Sequence, residues 1–314
     1  MTLGIVMPCY NEEAAIGPSL DEVLPLMETF RQENVIGEYR LYCVDDGSKD
    51  NTWNCIEARA KKDSHVTGIK LSRNVGHQNA LIAGLEYAVK ECDAIISIDV
   101  DLQDDIGVIK DMIGKFNEGC EIVFGVRKER SNDSLMKRAS ARLFYRLMKT
   151  TDPESIPNHA DFRLLSRRAA EELLAYSERN IFVRGIIPLL GLKSEKVEYE
   201  RQPRKHGQSK YPPMKMVNFA IEGITSFSIR PIRMIFVLGI TFLFITLSVS
   251  IYVLIAILMG RSYPGWASLM LSLWFIGSLV LIALGIIGEY IGKIYIEVKR
   301  RPRYFVEKTT EDKR

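Results

Sequence analysis

Five short apolar runs rich in Ile and Val punctuate the first 125 residues, at 3–7, 39–44, 66–71, 94–98 and 121–124. Runs this short, with little polar interruption, predict parallel strands buried on both faces. Between them apolar positions recur at helical spacing around 13–31, 51–62, 77–90 and 106–117. The alternation predicts an α/β fold with a mostly parallel sheet and any ligand at the carboxyl ends of its strands. The polar clusters fall there: PCYNEE after the first strand, DDGSKDNT after the second, SRNVGHQN after the third and DVDLQDD after the fourth.

Beyond residue 230 the pattern changes. Residues 234–260 and 266–287 carry no Asp, Glu, Lys or Arg. Each run is long enough to cross roughly 30 Å of hydrocarbon at about 1.5 Å per residue. Arg261 to Gly265 reads as a tight turn, so the two runs predict a transmembrane hairpin with both outer ends on one side. Arg230 and Arg233 precede it, and Lys293, Lys299, Arg300, Arg301 and Arg303 follow, against Arg261 alone in the turn. That bias predicts a two-span inner-membrane protein with the globular part and both termini in the cytoplasm. Residues 134–149 predict an amphipathic helix, with Leu135, Ala139, Leu143 and Leu147 on one face and Arg138, Arg142, Arg146 and Lys149 in a basic stripe. Such a helix suits an anionic membrane surface or packing on the sheet. Residues 211–228 are placed along the membrane. The divisions expected are 1–165 as the strand–helix domain, 166–230 as a loop and interfacial helices, 231–296 as the hairpin, and 297–314 as a cytoplasmic tail, polar and frayed from Lys308 on.

Charge and cysteine content narrow the picture. A net charge of +3 over 314 residues is too small to imply nucleic acid. Acidic residues gather in the first third and basic ones around 127–149, 201–215 and 293–303, which suits a cation or phosphate site beside an anionic surface. Cys9, Cys43, Cys55, Cys92 and Cys120 form no CxxC pair, and the first apolar run is too short for a secretory signal, which suits a reducing compartment. With the four histidines they show no zinc spacing. There is no GxxxxGK[ST] loop and no GxGxxG after the first strand, which excludes P-loop and dinucleotide chemistry of the usual kind.

SIDVDLQDD places Asp99, Asp101, Asp104 and Asp105 at the end of a buried strand. In an extended strand Asp99 and Asp101 would point the same way across Val100. With Gln103 nearby they could ligate a hard divalent cation, Mg²⁺ or Mn²⁺, whose shell is usually completed by water and phosphate oxygens. Alone, such a pair is equally a solvated loop; its place beside three other polar strand ends favours a site. Asp104 and Asp105 are expected to start the following helix. Asp45 and Asp46 in DDGS suit acceptance of hydrogen bonds from a base or ribose, or equally a generic turn at Gly47.

VMPCYNEE, VDDGSKDNT, LSRNVGHQNALIAGL and IDVDLQDD, in this order and spacing, resemble the family-two glycosyltransferases of GT-A fold. The ending LGIIGEYIGKIYIEVKRRPRYFV and the two apolar runs resemble their polyprenyl-phosphate branch, which includes bactoprenol glucosyltransferases and dolichyl-phosphate-mannose synthases. The resemblance runs from Leu3 to about Val306. It implies donor nucleotide-sugar binding by Pro8, Tyr10, Asn11, Glu12, Asp45, Asp46, Asn74, Gly76, Asp99, Val100 and Lys210, the last in a loop with Arg204, Gly207, Ser209 and Tyr211. It implies a metal on Asp99, Asp101 and Gln103, and acceptor-phosphate contacts from Arg127, Lys137, Arg138, Ser140 and Arg163. Asp101, Asp161 and Arg127 are the implied catalytic residues. Val126 departs from the family's G-[ST]-R.

The activity so implied is inverting, metal-dependent transfer of one hexose from a nucleotide sugar, UDP-glucose first among candidates, to polyprenyl phosphate for cell-envelope polysaccharide, by a homo-oligomer. A processive polysaccharide synthase is the alternative enzyme, though the chain lacks QxxRW and further spans. A membrane-anchored nucleotide-sugar-binding protein is the non-catalytic alternative.

Overall fold

The computed structural model describes residues 1–128, 159–179, 181–200, 230–259 and 265–311. The chain forms two compact units, Met1–Pro212 with Arg301–Arg314, and Pro213–Arg300.

In the first unit the predicted strands are β1 (Thr2–Cys9), β2 (Glu38–Asp45), β3 (Val66–Leu71), β4 (Ala94–Ser97) and β5 (Ile122–Arg127). The helices between them are α1 (Glu13–Gln32), α2 (Thr52–Ala60), α3 (His77–Ala88) and α4 (Ile109–Asn117), the last preceded by a short 3₁₀ turn at Ile106–Val108. Three more strands join the sheet: β6 (His159–Ser166), β7 (Ser194–Tyr199) and β8 (Val306–Thr309). Helices α5 (Arg167–Ala175) and α6 (Val183–Leu189) lie between β6 and β7 in sequence. The order is β7-β5-β6-β4-β1-β2-β3-β8. Strands β1 to β4 pair in parallel, and so do β5 and β7, whereas β6 runs antiparallel between β4 and β5. This is a GT-A-like α/β fold.

Core residues such as Leu3, Ile5, Leu41, Ile69 and Ile96 are wholly buried, which explains why the central strands read as continuous apolar runs. Helix α3 packs so closely on β1 that a Cβ on Gly84 would lie 2.3 Å from Val6 Cγ1. The polarity of β6 fixes the site. Register pairs Ser97 with Arg163, so the start of β6 lies beside the end of β4, and the Ser97 hydroxyl donates to the Asp161 carbonyl.

Residues 308–311 do not fray as expected. Strand β8 pairs antiparallel with β3, Thr310 Oγ1 accepts from Gly68 N at 2.9 Å, and Thr67 Oγ1 donates to Glu311 at 2.9 Å. Pairing covers an otherwise open sheet edge, which outweighs the low strand propensity of a polar sequence.

The second unit contains α7 (Arg230–Leu258) and α8 (Trp266–Lys299). Within α8, the 25 residues Phe275–Lys299 form the one stretch among the described residues long and apolar enough to cross a membrane. The apolar stretch Ile235–Val249 of α7 is shorter. Phe242 and Phe275 bring the two helices into ring contact at 5.8 Å. The expected interfacial segments 134–149 and 211–228 lie outside the described residues.

Candidate active site

The loops after β1 and β2 are stitched together by the polar residues that marked them in sequence. Asn11 N donates to Ser48 Oγ at 2.9 Å, and Asn11 Oδ1 accepts from Lys49 N at 2.8 Å. Glu12 N donates to Thr52 Oγ1 at 2.8 Å, while Tyr10 beside them is exposed. The Asp46 carboxylate accepts from Val75 N at 2.7 Å and Gly76 N at 3.0 Å, tying the end of β2 to the loop after β3. Burial pushes its carboxyl up while those two amides oppose the shift. Gly47 makes the approach possible: its φ is +65°, and a Cβ there would lie 2.5 Å from the Arg73 carbonyl carbon. Asp45 is fully buried; its Oδ1 accepts from Ser48 N at 3.1 Å and its Oδ2 has no partner among the described residues. A buried carboxylate oxygen without a partner is costly, and a donor on a ligand or water would relieve it.

At the next strand end, Asp99, His77 and Asp161 meet. His77 Nε2 lies 3.7 Å from Asp99 Oδ1 and 3.8 Å from Asp161 Oδ2. Desolvation and the neighbouring carboxylates of Asp161, Asp104 and Asp101 push the Asp99 carboxyl up, against the pull of His77. A cation there would reverse that penalty. Asp101 Oδ1 accepts from Gln103 N at 3.3 Å. Among the described residues no three His, Cys, Asp or Glu side chains are set to hold a metal by themselves. Asp99 and Asp101 alone would leave most of a Mg²⁺ or Mn²⁺ shell to water and phosphate oxygens. Val100 does not share their exposure: its side chain is in the core and its carbonyl accepts from Ser19.

Asp161 is gripped by two arginines. Arg184 donates through Nε to Oδ1 at 3.1 Å and through Nη2 to Oδ2 at 2.8 Å, and Arg163 Nη2 donates to Oδ1. Burial alone would raise this carboxyl, but Arg163 and Arg184 outweigh it and hold it well below the usual carboxylate range. Arg163, expected at an acceptor phosphate, is 1% exposed and lies behind Asp161. Arg184, one-third exposed, is the partner that faces outward.

The last strand ends hold a second ion pair. Asp104 does not start a helix as expected; that role falls to Asp105, whose Oδ1 accepts from Gly107 N at 2.9 Å. Asp104 is 4% exposed and its Oδ1 accepts from Arg127 Nη2 at 2.9 Å and from the Tyr199 hydroxyl at 2.6 Å. The physical reason is burial: a carboxylate pointing inward needs a charged partner more than a helix end needs a cap. Lys137, Arg138, Ser140 and Lys210, together with Arg204, Gly207, Ser209 and Tyr211, lie outside the described residues. His77 and Asp104 lay inside stretches that the sequence marked, though their partners did not follow from it; Arg184 and Tyr199 carried no sequence signal, because each meets its partner only through the fold.

Acids and arginines thus gather at the carboxyl edge of a mostly parallel sheet. The Glycosyl transferase family 2 profile matches residues 4–174. The chain belongs to that family and is a glycosyltransferase. It is 49% identical over 306 residues to the uncharacterized glycosyltransferase YkoT of Bacillus subtilis, covering 97% of this chain and 91% of that protein. It is 40% identical over 316 residues to the SfII prophage-derived bactoprenol glucosyl transferase of Shigella flexneri, covering 98% of each. Among solved structures, glucosyl-3-phosphoglycerate synthase from Mycobacterium tuberculosis, in complex with Mn²⁺, UDP and phosphoglyceric acid, is 20% identical with a TM-score of 0.48, covering 71% of this chain and 76% of that one.

Proposed function

We propose that the chain transfers one hexose, glucose first among candidates, from a nucleotide sugar to polyprenyl phosphate at the cytoplasmic membrane face, with inversion and with a divalent cation. The observation that carries this reading is that Asp99, beside His77, and Asp101 after it stand near two arginines held by other acids, Arg184 by Asp161 and Arg127 by Asp104. Two anions must meet there, and each needs its own counter-charge. Near-complete alignment with bactoprenol glucosyl transferases supports the choice of acceptor.

Donor nucleotide would lie against Tyr10, Asp45, Asp46 and the Asn74–Gly76 loop, with Asp45 Oδ2 supplying an acceptor. When bound at Asp99 and Asp101, a divalent cation would neutralise the leaving diphosphate. A lipid phosphate is largely dianionic near pH 7, its second pKa being about 6, so a strong general base is unnecessary. Asp161 suits that economy. Ionised and fixed by two arginines, it orients Arg184 toward the acceptor instead of taking a proton. Lys137, Arg138 and Ser140 are assigned to the acceptor by family resemblance, and Lys210 to the donor.

Chain topology supports two spans. Residues on both sides of the apolar unit, Met1–Pro212 and Arg301–Arg314, fold into one body, with β8 paired to β3. A chain that crosses through Phe275–Lys299 must therefore cross back, and α7 is the other long helix described in that unit.

The test incubates purified protein with radiolabelled UDP-glucose, UDP-N-acetylglucosamine or GDP-mannose, with Mg²⁺ or Mn²⁺ and undecaprenyl phosphate. Label entering the organic phase from one donor is expected. A long water-soluble polymer would indicate a processive synthase, and no label from any donor would overturn the proposal.

A further inference from the structure

Arg127 and Tyr199 end strands β5 and β7, Asp104 lies in the loop after β4, and their hydrogen bonds close on one atom. Asp104 Oδ1 accepts from Arg127 Nε at 3.1 Å, from Arg127 Nη2 at 2.9 Å and from the Tyr199 hydroxyl at 2.6 Å, while Arg127 Nε also donates to the Tyr199 oxygen at 3.2 Å. The Tyr199 ring is itself fixed edge-on against the wholly buried Phe162 at 5.5 Å. The guanidinium is thus clamped along its Nε–Nη2 edge, and its Nη1 makes no bond among the described residues. Arg127 is 28% exposed where Asp104 is 4% exposed, so the clamp is the buried end and the cation is the outward end.

We infer that Asp104 and Tyr199 are positioning residues that pre-set the Arg127 guanidinium for the acceptor phosphate. An unclamped arginine has many rotamers, and ordering it on binding costs affinity; a clamped one presents a ready donor edge. Because Asp104 neutralises Arg127 at rest, the site also avoids an unpaired cation in a half-buried setting. The inference rests on the proposed reading of the acceptor and names two residues that act on it only through Arg127.

Tyr199→Phe keeps the ring contact with Phe162 and removes only the hydroxyl. It is expected to raise KM for undecaprenyl phosphate about tenfold, the size of one lost hydrogen bond to a charged group, with kcat and donor KM within about twofold of wild type. In an Arg127→Gln background the same change is expected to add less than about twofold, since both act through one guanidinium. Additive losses, or an equal rise in donor KM, would overturn the inference while leaving the transferase reading intact. Failure of the wild type to transfer any sugar would sink that reading instead. The clamp has a turnover-free readout: ¹⁵N-arginine spectra of the detergent-solubilised protein should show a slowly exchanging Arg127 Nε–H in wild type, lost in Tyr199→Phe and Asp104→Asn. A resonance unchanged in both variants would refute the clamp itself.

Discussion

Arg163 is a fully buried cation between two strands, and the chain tolerates it because Asp161 is its counter-charge and Arg184 holds Asp161 in turn. Breaking such a set by removing one partner leaves an uncompensated charge. Asp161→Asn is therefore expected to cost about 3–5 kcal/mol, measured as thermal unfolding in detergent. The pH dependence has a definite sign. The folded carboxyl titrates below its unfolded value of about 3.9, so its contribution is complete above that value and is lost as the pH falls below it. The stability gap between wild type and Asp161→Asn should stay constant from about pH 6 to 8 and narrow below about pH 4. A gap that widens in acid would contradict the pairing. Only the Asp161–Arg163 half of this was legible in the sequence. DFR showed an acid two residues from an arginine, but Arg184 is 23 residues from Asp161 and belongs to no motif. Asp104 was misplaced for the same reason: the tyrosine that receives it lies 95 residues away.

Elements were legible in proportion to their burial. Strands β1 to β5 are apolar because they are covered on both faces, and their runs predicted them within a few residues. Strand β6 carries Arg163 in mid-strand, β7 (SEKVEY) is an exposed edge, and β8 (VEKT) sits in a charged tail. Edge strands show polar sequences for good reason, since an apolar edge invites aggregation. The polar strand ends, by contrast, were visible at once, because a loop that follows a buried strand must satisfy its own backbone groups. Strand β8 carries a prediction of its own. Removing residues 306–314 strips β3 of its neighbour and deletes the Lys70–Glu307 pair at 2.9 Å and the Thr310–Gly68 bond. The shortened protein should unfold at lower temperature and form concentration-dependent aggregates by light scattering. A monodisperse variant of unchanged melting temperature would show that the tail strand contributes nothing.

For the molecule as a whole, the hydropathy pattern predicted a hairpin, and under the proposed reading the tail's return to the sheet would call for an even number of crossings. Orientation has a direct check. Ser262→Cys places a thiol in the expected extracytoplasmic turn, while four of the five native cysteines are buried and the fifth is half-buried. A membrane-impermeant maleimide added to intact spheroplasts should label the variant and not the wild type; labelling only after lysis would reverse the topology. The family and the proposed donor and acceptor roles lead to a single chemical event, and a single-turnover experiment addresses it most directly. Protein in excess over UDP-glucose is mixed with undecaprenyl phosphate and a divalent cation, and the lipid is analysed by mass spectrometry alongside the released nucleotide. The account predicts one hexose added per lipid phosphate, matched one-to-one by nucleoside diphosphate. Nucleotide released without a glycolipid, or a lipid carrying several sugars, would contradict it.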